Sequence, residues 1–168
     1  MKALALIFSL LLLGGCAGGL SIDRQHPSAN HDSRVQWVVV HYTSTDVQHS
    51  LELLTRGGVS SHYLIGEAPA TIYQLVDENR RAWHAGDSQW RGRTWLNAST
   101  LGIELVNQGY ADTPAGRVWQ PYSEAQIDAL ILLLKDIVQR HHLPIDSIIG
   151  HSDLAPQRKV DPGPLFPW

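Results

Sequence analysis

The hydrophobic pattern changes at Gln36. Trp37-Val38-Val39-Val40 is apolar on successive positions and built from β-branched and aromatic residues, which predicts a strand buried on both faces. His41 and Tyr42 close it. A weakly amphipathic segment over residues 47–54 predicts a helix, and Gly57 and Gly58 after it suit a C-cap. Residues 62–65 and 71–76 read as two strands joined by a turn at 66–70, a connection short enough for an antiparallel pair. Residues 101–106 are a further apolar run. Ser123, with Gln126 three positions on, forms a capping box ahead of a long amphipathic helix. In that helix Ile127, Leu130, Ile131, Leu134 and Val138 fall at helical spacing as a core stripe, and Leu143-Pro144 stops the run. Strands interleaved with helices in this order predict an α/β fold: a single domain with a mixed central β-sheet flanked by helices.

The first residues follow another pattern. Lys2 precedes an apolar run over residues 3–13 that only Ser9 interrupts, shorter than the roughly 20 residues a membrane-spanning helix needs. Residues 1–15 therefore read as a signal peptide. Leu13-Gly14-Gly15-Cys16 resembles the bacterial lipobox, in which the cysteine is acylated and begins the mature lipoprotein. The alternative is a plain secretory signal with an incidental cysteine. Ala17 rather than Asp follows Cys16, which points to an outer-membrane lipoprotein facing the periplasm, with the lipid as the only membrane contact. Residues 16–33 are small and polar, with Gly18, Gly19, Pro27 and Asn30, and read as a lipidated N-terminus and flexible tether. The domain proper is expected over residues 34–168.

Composition narrows the classes. A chain of 168 residues, 43% hydrophobic and 17% charged, is one globular domain with a real core. A net charge of -3 argues against nucleic acid as a partner. Cys16 is the only cysteine, so no intramolecular disulfide or thiolate cluster can form.

The chemistry has to come from polar groups that packing leaves over, and there are nine histidines to sort. His26 and His31 lie in the tether, His49 in a helix, and His141 and His142 in the last helical turn, where a cation suits the dipole. His41, His62, His84 and His151 each sit at the end of an apolar stretch, and each reads either as a hydrogen-bonded structural residue or as a ligand. Residues 150–163 carry His151 and Asp161 on a loop stiffened by Pro156 and Pro162. A catalytic zinc takes three His or carboxylate ligands and leaves a fourth position open, a count that His41, His151 and Asp161 meet. Spacing leaves the assignment open, because His41 is remote and no compact His-Glu-x-x-His motif is present. Glu104 is the lone charge in its run, either a buried acid in use or an edge-strand side chain facing solvent. Lys159 alone reads as an exposed loop charge.

Ordered blocks carry a resemblance over nearly all of the chain after the tether: Val39-Val40-His41-Tyr42-Thr43, Ser60-Ser61-His62-Tyr63-Leu64-Ile65, Ala82-Trp83-His84-Ala85-Gly86, Gly102-Ile103-Glu104-Leu105-Val106-Asn107, and Gly150-His151-Ser152-Asp153 through Lys159-Val160-Asp161-Pro162-Gly163. Together they resemble the zinc-dependent N-acetylmuramoyl-L-alanine amidases, which include phage amidase-type lysozymes and peptidoglycan recognition proteins. Within that family the chain looks most like bacterial lipoprotein amidases. The resemblance implies a sheet flanked by helices with one catalytic zinc at the end of a groove, held by His41, His151 and Asp161. It further implies Glu104 as general base, Lys159 as transition-state stabiliser, and cleavage of the amide between N-acetylmuramic acid and L-alanine in peptidoglycan or muropeptides. Cell-wall turnover or recycling, by a monomer, is the expected role. Tyr42, Thr43, Trp83 and His84 are expected substrate contacts, with wall and core packing as the alternative for each and most of all for Trp83, and the loop over residues 86–99, with Trp90 and Trp95, is a candidate groove lining. The competing class is a non-catalytic peptidoglycan-binding module of the same fold. Relatives commonly continue into a further helix beyond Pro162-Gly163, so truncation at the C-terminus is expected.

Overall fold

The apolar run at Trp37 forms an interior strand, and the rest of the sheet assembles around it. The computed structural model describes residues 20–168. The chain runs β1 (Trp37–Tyr42), α1 (Val47–Arg56), β2 (Tyr63–Ile65), β3 (Ile72–Gln74), β4 (Gln89–Trp90), β5 (Arg93–Thr94), β6 (Thr100–Leu105), β7 (Tyr110–Thr113), β8 (Gly116–Trp119), α2 (Glu124–His141), β9 (Ile148–Gly150) and α3 (His151–Leu154). The readings made for residues 1–19, including the signal peptide and the lipidation of Cys16, lie outside the described residues.

Five strands form the central sheet in the order β3-β2-β6-β1-β9. β1 pairs parallel with β6 and β9, β2 pairs parallel with β6, and β3 closes the edge antiparallel to β2. The sheet is therefore mixed, as expected. Alternation along β1 divides the core. Val38 and Val40 face Leu130, Leu133 and Ile137 of α2, whereas Trp37 and Val39 face Ile149, Leu154, Ala155, Ala85 and Leu96. Fully burying each such aliphatic side chain contributes about 1.5–3 kcal/mol, so residues on both faces of β1 fix its register.

Both helices predicted from the sequence are present. Asp46 caps α1 by accepting from the His49 N–H at 3.0 Å. Gly57 ends it because of close approach: a Cβ there would lie 2.4 Å from the Leu53 carbonyl oxygen. The capping box of α2 forms in both directions between Ser123 and Gln126. Its core face differs from the predicted stripe. Leu130 is buried as expected, Ile127 and Leu134 are partly buried, but Ile131 is 41% exposed and the deepest contacts come from Leu133 and Ile137. The helix is apolar over much of its circumference, so sequence spacing alone admits two neighbouring stripes.

Candidate metal centre and active site

The parallel register builds the site. His41 continues the face of β1 that carries Trp37 and Val39, and it pairs with Glu104 of β6, so both side chains leave the sheet on one side near the ends of their strands. β9 pairs with β1 through Gly150, which places His151, the next residue, beside His41. The loop after α3 returns Asp161 to the same point, held by a 2.9 Å bond from the Ser152 N–H to the Asp161 carbonyl. Open α/β sheets gather their ligands at the carboxyl ends of parallel strands for this reason.

His41, His151 and Asp161 are buried, and their donor atoms converge. His41 Nδ1 lies 2.9 Å from His151 Nδ1 and 3.0 Å from Asp161 Oδ2, and His151 Nδ1 is 3.0 Å from the same oxygen. Three such contacts cannot all be hydrogen bonds. The two nitrogens carry at most two protons between them, and an ionised carboxylate carries none. The far nitrogens already have partners: His41 Nε2 is 3.0 Å from His84 Nδ1, and His151 Nε2 is 3.2 Å from the Ala85 carbonyl. Imidazoles whose Nε2–H groups are spent on those partners present bare Nδ1 lone pairs to the centre, and one cation satisfies both of them and the carboxylate together. Burial pushes His41 down to about 4, so the ring is neutral near pH 7, as a ligand must be. The donor set fits one metal ion.

Glu104 borders this centre. Its Oε2 is buried and has no hydrogen-bond partner among the described residues. Burial pushes its carboxyl up to about 8, the Asp161 charge adds to the rise, and Lys159 opposes it. A carboxyl poised in that range can exchange a proton near neutral pH. The solvent-facing alternative for Glu104 does not hold.

A cleft of about 820 Å³ opens over the centre, and every residue proposed from the sequence as ligand, acid–base group or substrate contact lines it: His41, Tyr42, Thr43, Trp83, His84, Glu104, His151, Lys159 and Asp161. Their availability differs. Trp83 is 58% exposed on the rim, which excludes core packing. Lys159 is half-buried on the wall. Burial, with the Asp161 charge adding, pushes the Tyr42 phenol up to about 12, so it stays protonated. The Thr43 hydroxyl is committed to a turn, donating to the Thr45 carbonyl at 2.9 Å. Both ring nitrogens of His84 are engaged inside the protein, by His41 and by Thr100.

Other expectations are corrected. Trp90 and Trp95 are not among the residues lining the cleft: Trp90 packs against the Trp37 side of the core, and Trp95 points outward, 66% exposed. His62 is structural, accepting from the Gly102 N–H at 3.0 Å and meeting the Arg80 carbonyl at 3.1 Å. His141, in the last turn of α2, does more than complement the helix end: it is tied to Glu78 at 2.8 Å and Ser33 at 2.9 Å. Several supporting residues escaped the sequence reading. The Asn97 side chain accepts from the His84 and Ala85 N–H groups, and Arg158 reaches the carbonyls of Ala85 and Asp87. Tyr110, on the unforeseen hairpin of β7 and β8, also lines the cleft. Nothing in their spacing marks these residues, because each acts on backbone brought near only by folding.

Comparison with known proteins agrees with this geometry. The profile of the N-acetylmuramoyl-L-alanine amidase family matches residues 31–164. The chain is 44% identical over 177 aligned positions to the N-acetylmuramoyl-L-alanine amidase AmiD of Escherichia coli K12, an alignment covering 97% of this chain and 64% of that relative. The chain thus spans less than two thirds of that protein. It is 31% identical to the 1,6-anhydro-N-acetylmuramyl-L-alanine amidase AmpD of Enterobacter cloacae, covering 89% of each. Its fold superposes, with a TM-score of 0.83, on the E. coli AmiD structure in complex with anhydro-N-acetylmuramic acid-L-Ala-D-γ-Glu-L-Lys, covering 90% of this chain and 61% of that one. Family profile, relatives and superposed fold coincide over the segment that carries the converging donors, and this chain belongs to the N-acetylmuramoyl-L-alanine amidase family.

Proposed function

We propose that this chain is a zinc-dependent hydrolase that cleaves the amide between N-acetylmuramic acid and L-alanine in peptidoglycan or its muropeptides, in cell-wall turnover or recycling. The observation that carries the reading is the convergence of His41 Nδ1, His151 Nδ1 and Asp161 Oδ2 in a cleft that also holds a partnerless buried carboxylate oxygen on Glu104. His41, His151 and Asp161 would hold the zinc ion, which would supply Lewis acidity for polarising the scissile carbonyl and for acidifying the attacking water. Glu104 accepts the proton of the attacking water and returns it to the departing amine of L-alanine. The Lys159 ammonium faces the negative oxygen that develops on the former carbonyl. Trp83 and Tyr42 form opposite kinds of wall, one exposed indole and one half-buried phenol, against which the sugar and peptide are positioned.

The presence of the three donors and Glu104 favours an enzyme over a binding module. Incubating the purified protein with muropeptides should release free stem peptide, and a chelator should stop the release until zinc is restored. Zinc-loaded protein that releases no peptide would sink the proposal. The lipobox-like segment supports acylation of Cys16 and an outer-membrane anchor with the domain in the periplasm. Cys16→Ala should then move the protein from the membrane pellet to the soluble periplasmic fraction; a wild-type protein already soluble there argues for a plain secretory signal.

A further inference from the structure

The hydrogen bonds behind His41 have a direction, and a backbone carbonyl sets it. The Thr100 hydroxyl lies 2.8 Å from the Leu96 carbonyl oxygen, and a carbonyl can only accept, so the hydroxyl proton goes there. Thr100 Oγ1 is then left as the acceptor for His84 Nε2, 3.1 Å away, which puts the His84 proton on Nε2. His84 Nδ1 is consequently bare and accepts from His41 Nε2–H at 3.0 Å. With its proton held there, His41 presents a lone pair on Nδ1, the atom that faces His151 and Asp161. Each polarity follows from the one before.

The surroundings leave His84 little freedom to break the chain. Its ring lies over Gly102, where a Cβ would come within 2.4 Å of the His84 Cγ, and its backbone N–H is fixed to Asn97 Oδ1 at 3.1 Å. Thr100 is fully buried, so no solvent competes for its hydroxyl. The alternative tautomer of His41, with the proton on Nδ1, would turn an N–H into the space the donors share and leave His41 Nε2 and His84 Nδ1 facing each other as two acceptors.

We propose that Thr100 and His84 are positioning residues that select the Nε2–H tautomer of His41, making its Nδ1 available to the metal. The inference rests on the zinc reading for its purpose, and the relay can be read without zinc. In metal-free protein with ¹⁵N-labelled histidine, long-range proton–nitrogen correlations at neutral pH should show His41 protonated at Nε2 alone. In Thr100→Val, which keeps the shape and removes the hydroxyl, the His41 signals should shift towards a tautomer mixture, while Thr100→Ser should restore the wild-type pattern. Zinc affinity, measured by competition with a chromophoric chelator, should fall about 10–100-fold in Thr100→Val and stay near wild type in Thr100→Ser, the usual range for outer partners of a ligand histidine. Finding the wild-type His41 proton on Nδ1 would overturn the relay, as would wild-type zinc affinity in Thr100→Val. A wild-type protein that shows the expected tautomer and binds no zinc would instead remove the zinc reading and leave the relay standing.

Discussion

Glu104 sets burial against charge, because burial disfavours its ionised form and pushes the carboxyl up to about 8. A buried carboxyl oxygen left without a hydrogen-bond partner costs stability. Glu104→Gln keeps the shape and removes the base, so we expect peptide release to fall by about 10²–10⁴-fold, the usual contribution of a positioned acid–base group. Zinc content by elemental analysis should be unchanged and the melting temperature equal or higher; retention of most of the activity would remove Glu104 from the mechanism. At this scale the sequence was informative about which residues could act and silent about how. His41, His62, His84 and His151 looked alike as histidines at the ends of apolar runs. What separates them is whether a second partner occupies each nitrogen: the Gly102 N–H takes His62 Nδ1, Thr100 takes His84 Nε2, and only His41 and His151 turn an Nδ1 towards a shared carboxylate. That distinction depends on strand register, which no spacing in the chain prints.

Among the elements, legibility followed apolar patterning: β1, β2, β3, β6, α1 and α2 were readable, while β4, β5, β7, β8, β9 and α3 were not. β1 and α2 announce themselves through a run of valines and a reciprocal capping box. β9 has three residues, and the β7–β8 hairpin is mostly exposed, so neither has enough apolar periodicity to detect. The packing of α2 adds a charge device that spacing also hid. Its C-terminus is fastened to Glu78, which accepts from Tyr63 Oη at 2.7 Å, from Arg140 Nη2 at 3.0 Å and from His141 Nε2 at 2.8 Å. Burial alone would raise the Glu78 carboxyl, but hydrogen bonds from Arg140, His141 and Tyr63 outweigh it and hold it at about 2, against 4.5 for a free glutamate. A depressed carboxylate binds its proton less readily in the folded state than in the unfolded one. Its contribution is therefore complete above about pH 4.5 and disappears as the pH falls towards about 2. Urea unfolding in the presence of chelator should show wild-type stability declining through that window, with a shallower decline and lower stability at pH 6 in Glu78→Gln. Parallel curves for the two proteins would show that Glu78 does not carry the acid limb.

For the molecule as a whole, the proposed metal site is a long-range clasp. His41 lies 110 positions from His151 and 120 from Asp161, so the three ligands meet only after the sheet has formed. An unfolded chain offers no comparable site, and binding to the folded state alone raises stability by mass action, about 2.7 kcal/mol when free zinc is 100 times its dissociation constant. For a chain of 168 residues, with about 2–4 °C of melting temperature per kcal/mol, the expected rise on adding zinc to metal-free protein is about 5–10 °C. Asp161→Ala and His151→Ala should each abolish most of that rise, because the remaining pair of donors binds far less tightly. Glu104→Gln, which removes no donor, should keep it. This pattern separates holding the metal from using it, and differential scanning fluorimetry measures it without any substrate. If zinc left the wild-type melting temperature unchanged, or moved the wild type and Asp161→Ala equally, the clasp would not exist and the convergence of His41, His151 and Asp161 would have to be explained by hydrogen bonding that their three mutual contacts cannot satisfy.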